Sequence, residues 1–175
     1  AVMDFLNAER AEEIVFTSGT TESVNLVARS FPYAAERREV VVTALEHNSV
    51  LLPFCEAAER GEIIVKVCPV KDDGPDLAAM ERLITRKTAL VAMAHSSNVI
   101  GGAFPVTKVA RMAHSAGAKL LVDDAQYLSS HRHDVRSTNA DFVAFSAHKL
   151  GGPFGVGVLY GKEHMLNRLG RYKVG

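Results

Sequence analysis

A lysine stands between an apolar, strand-like run and a glycine-rich turn. Residues 145–153 read Phe-Ser-Ala-His-Lys-Leu-Gly-Gly-Pro, a mostly apolar run precedes them from Asp141, and another occupies 156–160. Side chains that follow a strand reach a pocket at the carboxyl edge of an α/β sheet. A lysine amine that is partly desolvated there loses its charge and becomes a nucleophile for carbonyl groups. Lys149 is therefore predicted to react with a carbonyl carbon.

One aldehyde cofactor, pyridoxal phosphate, needs such a lysine, an acid for its ring nitrogen and donors for its phosphate. Asp123 is the candidate acid, because it ends the apolar run 120–122 at a predicted strand end. An ionised carboxylate there would keep the pyridine nitrogen protonated through a charge-assisted hydrogen bond, which makes the ring an electron sink. Gln126, three residues later, is placed to donate to the phenolic oxygen of the ring.

The phosphate donors are predicted from the turn Thr-Ser-Gly-Thr-Thr-Glu at residues 17–22. The turn follows an apolar run and precedes a helical pattern, and small residues and hydroxyls at a helix N-terminus form an anion site. Thr20 and Thr21 open that helix. Ser146 and His148, beside the lysine, add donors for the same phosphate.

His47 follows the strand-like run 40–43, where an imidazole could stack on a flat ring. Taken singly, these residues have plainer interpretations. Lys149 could be a solvated loop residue, Asp123 a helix cap or a magnesium ligand, and His47 a hydrogen-bonded histidine at a strand end. The turn at 17–22 could be a bare turn and helix cap. Their joint occurrence favours the cofactor.

Five ordered motifs resemble the class V aminotransferase family, and within it the branch of cysteine desulfurases and selenocysteine lyases. They read Ser-Gly-Thr-Thr-Glu, Glu-His-Asn-Ser, Ser-Asn-Val-Ile-Gly, Val-Asp-Asp-Ala-Gln and Ser-Ala-His-Lys-Leu, and they span nearly the whole chain. The resemblance implies pyridoxal phosphate as cofactor, Lys149 as the Schiff-base lysine and His47 as the stacking, catalytic histidine. The cofactor-binding set that it implies is Thr20, Thr21, His47, Asn98, Asp123, Gln126, Ser146, His148 and Lys149.

Two positions depart from the family pattern without removing a cofactor contact. Asp124 stands where the family often has glycine or alanine, and Gly151 stands where an aromatic residue often lies two places after the lysine. Asp124 is interpreted either as a partner of side chains behind the site or as a residue facing solvent. The five histidines outside the motifs show no metal-ligand spacing, so they are interpreted as structural or solvated and no metal site is predicted. They are His95, His114, His131, His133 and His164.

The resemblance implies an enzyme that removes sulfur or selenium from cysteine or selenocysteine to give alanine. It also implies a small amino-acid substrate, a homodimer and a possible sulfur-acceptor protein. Another class V enzyme, such as an aminotransferase, lyase or epimerase, would use the same cofactor residues, and a chain inactive on its own is a further alternative. A nucleotide-binding domain is disfavoured, because no lysine follows Gly19 as a P-loop requires.

Alternating elements predict an α/β fold with a mostly parallel sheet and helices on both faces. Strand-like runs lie near 14–17, 39–44, 62–68, 88–94, 119–123, 141–145 and 155–160, and helix-like runs near 1–8, 20–30, 48–60, 76–86, 105–116 and 162–169. No helix separates the last two strands, so one sheet neighbour is expected to be antiparallel. By resemblance, seven strands match the large domain of fold-type I pyridoxal phosphate enzymes.

Helix-capping and helix-terminating residues support several of these boundaries. Asp76 is a plausible helix N-cap and Pro105 a first-turn proline, while Gly61 and Gly117 fit helix C-termini.

Composition indicates a single globular domain. The 175 residues are 47% hydrophobic and have a formal net charge of +0. That length can bury a real core, and zero net charge gives no electrostatic case for nucleic acid or a membrane surface. The two cysteines, Cys55 and Cys68, are predicted to be buried free thiols, which weakly favours a cytoplasmic location.

Residues 1–175 are expected to be the cofactor-binding core of a longer enzyme, truncated at both ends. In relatives, a C-terminal small domain carries the arginine for the substrate carboxylate and, in desulfurases, a mobile catalytic cysteine. Neither residue is assigned in residues 1–175. Cys55 and Cys68 do not correspond to the catalytic cysteine, so they are given no catalytic role.

Overall fold

The computed structural model describes residues 1–173, which form nine strands and seven α-helices. The strands are β1 Ile14–Thr17, β2 Glu39–Thr43, β3 Ile64–Cys68, β4 Val70–Lys71, β5 Gly74–Pro75, β6 Thr88–Ala94, β7 Lys119–Asp123, β8 Phe142–Ser146 and β9 Gly157–Gly161. The helices are α1 Val2–Leu6, α2 Thr20–Ser30, α3 Asn48–Glu59, α4 Leu77–Leu83, α5 Val106–Ser115, α6 Val135–Thr138 and α7 Glu163–Leu166.

Seven strands form one sheet in the order β1-β9-β8-β7-β6-β2-β3. The four pairs between β8 and β3 are parallel, whereas β9 is antiparallel to both of its neighbours. The predicted α/β fold and the antiparallel connection are confirmed. Strands β1, β2, β6, β7 and β8 therefore end at the same edge of the sheet, where their following loops meet.

The sheet separates two hydrophobic layers. Alternate residues of β2 face opposite sides, so that Val41 packs in the layer of α4 and α5 while Val40 and Val42 pack in the layer of α2 and α3. The central strands β2, β6 and β8 are buried along their whole length. Burial on both faces explains why these strands read as continuous apolar runs rather than as an alternation.

Most helix boundaries lie at the capping and terminating residues that were predicted. The Asp76 carboxylate accepts a hydrogen bond from the Ala79 N–H at 3.0 Å, as expected of an N-cap. Gly61 and Gly117 adopt left-handed φ values of 75° and 77° just past α3 and α5. Pro105 lies one residue before the helix rather than in its first turn.

Three of the predicted helices are shorter in the structure, namely α1, α4 and α7. Asn7, with a left-handed φ of 53°, ends α1. After α4, the Thr85 N–H bonds to the Thr88 hydroxyl at 2.9 Å, which turns the chain directly into β6. The small β4–β5 hairpin was not predicted.

Both cysteines are free, as predicted, but only Cys68 is buried and Cys55 is half-buried. Within residues 1–173, no helix combines the length and apolar character that crossing a membrane requires.

Candidate active site

A cavity of about 280 Å³ opens at the sheet edge where the parallel strands end. All of the residues predicted to bind the cofactor line this cavity. They arrive from five places in the chain, after β1, β2, β6, β7 and β8, so only the fold brings them together. Four further residues complete the wall, and they are Ser49, Ala94, Ser96 and Ala125.

One wall of the cavity is a donor-rich turn at the start of α2. The buried Thr20 donates its N–H to the Ser146 hydroxyl at 2.8 Å, and the two hydroxyls are also 2.8 Å apart. A Cβ on Gly157 would overlap the backbone of Gly19, so glycine permits the close approach of β9 to this turn. The first N–H groups of a helix lack intrahelical acceptors, and α2 has no side-chain cap at Gly19. The turn can therefore bind an anion.

Asp123 supplies the acid at the end of β7. It is 7% exposed, and its Oδ1 accepts the Ala125 N–H at 2.8 Å. Burial raises the pKa of its carboxyl to about 6, although the N–H of Ala125 and the charge of Lys149 oppose the rise. A basic group entering the cavity would offset this unfavourable burial of charge.

Lys149 follows β8 on a single 3-10 turn, Ala147–Leu150, and lines the cavity. The side chain is exposed, so the expectation of a partly desolvated amine is not met in this structure. The physical reason is that the turn carries the lysine beyond the sheet edge, three residues after the buried Ser146. His148 beside it is also exposed, and its ring stacks on Phe154 at 5.0 Å between centroids.

His47 occupies the N-cap of α3, and its Nδ1 accepts the Ser49 N–H at 3.1 Å. This bond fixes the ring at the cavity wall and leaves Nε2 without a partner among residues 1–173. Asn98 lies in the exposed loop after β6 and lines the cavity. Ser97 shapes that loop, because its hydroxyl accepts the Val99 N–H at 3.2 Å.

Glu46, the residue before His47, was not predicted from the sequence. Its Oε1 accepts the Thr43 hydroxyl at 2.5 Å and the Ala94 N–H at 3.0 Å, so it joins the ends of β2 and β6. Its Oε2 is buried and has no partner within residues 1–173. Burial, together with the charge of Asp123, raises the pKa of Glu46 to about 8. Its place before His47 was a signal that could have been used.

The structure resolves the two interpretations of Asp124 in favour of a buried partner. Asp124 is fully buried, and its oxygens meet Nδ1 of His95 at 2.8 Å and Nδ1 of His133. These histidines lie 29 and 9 residues from it in the chain, so no local spacing indicates the cluster. The pairing of His95 and His133 with Asp124 was not predicted. The three side chains also lie close enough together to coordinate a metal ion.

A mostly parallel seven-stranded sheet with these groups at the carboxyl ends of its strands is the architecture of the large domain of fold-type I enzymes. The family model described as aminotransferase class-V matches residues 1–175, and the chain belongs to that family.

The comparisons with individual proteins point in the same direction. The chain is 42% identical to a cysteine desulfurase of Dickeya dadantii over 171 residues, covering 96% of this chain and 42% of the relative. It is 44% identical to a cysteine desulfurase of an Enterobacter species over 171 residues, again 96% of this chain and 42% of the relative. The chain thus spans less than half the length of these relatives.

Solved structures agree with the fold. A cysteine desulfurase from Escherichia coli superposes with a TM-score of 0.95 at 37% identity, covering 99% of this chain and 44% of that chain. A cysteine desulfurase from Thermococcus onnurineus gives a TM-score of 0.90 at 37% identity over 99% of this chain and 44% of that chain.

Proposed function

We propose that the protein to which this chain belongs is a pyridoxal phosphate-dependent cysteine desulfurase, and that residues 1–175 are its cofactor-binding core. The observation that supports this most is the meeting of Asp123, Lys149 and the α2 turn in one cavity at one sheet edge. The sequence identity to cysteine desulfurases favours this activity over the other class V reactions.

The residues present fit the cofactor by the chemistry of their donors and acceptors. A buried carboxylate whose Oδ1 takes one backbone donor suits a protonated ring nitrogen. The paired hydroxyls of Thr20 and Ser146, together with the uncapped N-terminus of α2, suit a phosphate. An exposed primary amine at the cavity wall suits an aldehyde. These three chemistries in one cavity are what pyridoxal phosphate requires.

When bound, pyridoxal phosphate supplies an electron sink for carbanion chemistry at the substrate α-carbon. In the proposed mechanism, Asp123 holds the proton on the ring nitrogen because its carboxylate is ionised above a pKa of about 6. Lys149 would hold the cofactor through its aldehyde group, and its Nζ would serve as acid and base for the substrate's protons. His47 would orient the ring by stacking, since its imidazole is held in place by the Ser49 N–H at Nδ1.

The whole enzyme is proposed to act on cysteine or selenocysteine and to pass sulfur to an acceptor protein. A cysteine outside residues 1–175 would attack the sulfur, because neither cysteine here belongs to the cavity. A homodimer is proposed from the family resemblance. Asn98, an exposed residue that lines the cavity, is proposed to lie beside cofactor and substrate.

The proposal is tested with the full-length protein incubated with cysteine. With dithiothreitol added to reduce the persulfide left on the enzyme's cysteine, alanine and sulfide should appear in equal amounts, and both should be lost in Lys149→Ala. Lys162→Ala is the matched control, since Lys162 binds Asn139 and Asp141 at the opposite edge of the sheet. Transamination of cysteine to its 2-oxo acid, without alanine or sulfide, would instead assign another class V reaction.

A further inference from the structure

We propose that His95, Asp124 and His133 form a hydrogen-bonded clamp that fixes the turn carrying Asp123 and Gln126, so that they are positioning residues for the cofactor ring. This inference rests on the proposed function, because it concerns how the ring's partners are held. It adds a role to residues that do not line the cavity themselves.

The cluster ties three separate segments together. His95 directly follows β6, Asp124 directly follows β7, and His133 lies just before α6. Asp124 bonds to Nδ1 of His95 at 2.8 Å and to Nδ1 of His133, and Nε2 of His133 pairs with the Thr138 hydroxyl at 2.6 Å. The three side chains of the cluster are at most 8% exposed. The end of β7 is therefore fixed from both sides.

The turn after β7 is bound to the same cluster. The Ala125 N–H bonds to Asp123 at 2.8 Å, and the Leu128 N–H bonds to the backbone oxygen of Asp124 at 3.1 Å. The Tyr127 ring stacks on His95 with centroids 3.5 Å apart. Gln126 lies between these anchored residues. Movement of Asp124 would thus displace both Asp123 and Gln126 in the cavity.

The hydrogen bonds of the cluster favour a clamp over a metal site. The two histidine bonds hold the pKa of Asp124 below its usual value against burial, so the carboxylate is ionised and can only accept. In this arrangement each Nδ1 donates to the carboxylate, so a metal ion bound there would have to displace both hydrogen bonds. Nε2 of His133 is already paired with Thr138.

The chain offers a matched comparison at the opposite edge of the sheet. Asp141, just before β8, is 1% exposed and pairs with Nε2 of His114 at 2.7 Å and with the Leu120 N–H at 2.9 Å. Asp124→Asn and Asp141→Asn each weaken a buried carboxylate–histidine bond. Only Asp124 lies next to the proposed ring partners. A general loss of stability can therefore be separated from a loss of positioning at the cavity.

The test uses the full-length apoprotein titrated with pyridoxal phosphate and the ¹³C resonance of the Asp123 carboxyl without cofactor. Asp124→Asn should weaken binding about tenfold, equivalent to ~1.4 kcal/mol, and shift the Asp123 resonance. Asp141→Asn should lower stability but bind within about twofold of wild type. Equal binding losses in both variants, or no change in Asp124→Asn, would overturn the clamp.

A second pair of variants keeps the test decisive if Asp124→Asn does not fold. His133→Asn retains an N–H near the position of Nδ1 and should keep most of the affinity, whereas His133→Leu should lose about tenfold, since it leaves a buried acceptor unpaired. Zn²⁺ that raises the melting temperature of wild type but not of Asp124→Asn would replace the clamp with a metal site. A wild-type protein that does not bind pyridoxal phosphate would refute the proposed function, while the Asp123 resonance would still report on the clamp.

Discussion

Asp123→Asn should stabilise the apoprotein while it abolishes most of the catalysis. The folded carboxyl has a pKa of about 6 instead of its ordinary 3.8, because it is buried. For an acid with a raised pKa, the unfolded chain ionises first, so stability falls between about pH 4 and pH 6 and is then constant. At about 1.4 kcal/mol for each pKa unit, the loss at neutral pH is about 3 kcal/mol.

Asparagine has nearly the same shape and keeps an acceptor for the Ala125 N–H, but it carries no charge. The variant apoprotein should therefore be up to about 3 kcal/mol more stable than wild type at pH 7–8 and no more stable below about pH 4. The neutral amide cannot hold the ring nitrogen protonated, so turnover should fall by roughly 10²–10⁴.

The assay is denaturant unfolding of the full-length apoprotein from pH 4 to pH 8, combined with the rate of alanine formation from cysteine. Asp76→Asn is the control, because Asp76 is a helix cap whose pKa is lowered by the Ala79 N–H, and it should give no gain at neutral pH. A pH-independent stability difference, or turnover within a few-fold of wild type, would refute this role for Asp123.

Two further predictions concern residues at or next to the cavity. Glu46→Gln should stabilise the apoprotein at pH 7–8 by on the order of 3–4 kcal/mol, because the raised pKa of about 8 costs stability progressively above pH 4.5. A stability difference between variant and wild type that is the same at pH 4.5 and pH 8 would contradict this prediction. Ser146→Ala should weaken pyridoxal phosphate about tenfold but leave pyridoxal unchanged, since the hydroxyl faces Thr20 at the anion turn. Equal losses for both ligands in titration would show that Ser146 does not serve the phosphate.

The fold was predictable because its signals are local. Continuous apolar runs of strand length mark strands buried on both faces, and the absence of a helix between β8 and β9 indicates the antiparallel pair. The cavity residues were predictable for a related reason. Each of them lies at or just after a strand, and the carboxyl ends of parallel strands converge at one edge.

The unpredicted features depend on packing. Asp124 could have faced solvent or neighbours, and only the approach of His95 and His133 from other segments decides between them. Glu46 is similar, because its contact with the Ala94 N–H exists only once β2 and β6 are paired. The exposure of Lys149 depends on the 3-10 turn after β8, for which the apolar run gives no indication.

The central claim is that Lys149 is the covalent partner of pyridoxal phosphate, and peptide mapping after borohydride reduction tests it most directly. The full-length protein, loaded with cofactor and reduced, should carry the added cofactor mass on the peptide containing Lys149. Lys119 and Lys162 are internal controls, since both lie near Asp141 at the opposite edge of the sheet. Cofactor mass on either of these lysines, or none on Lys149, would contradict the account.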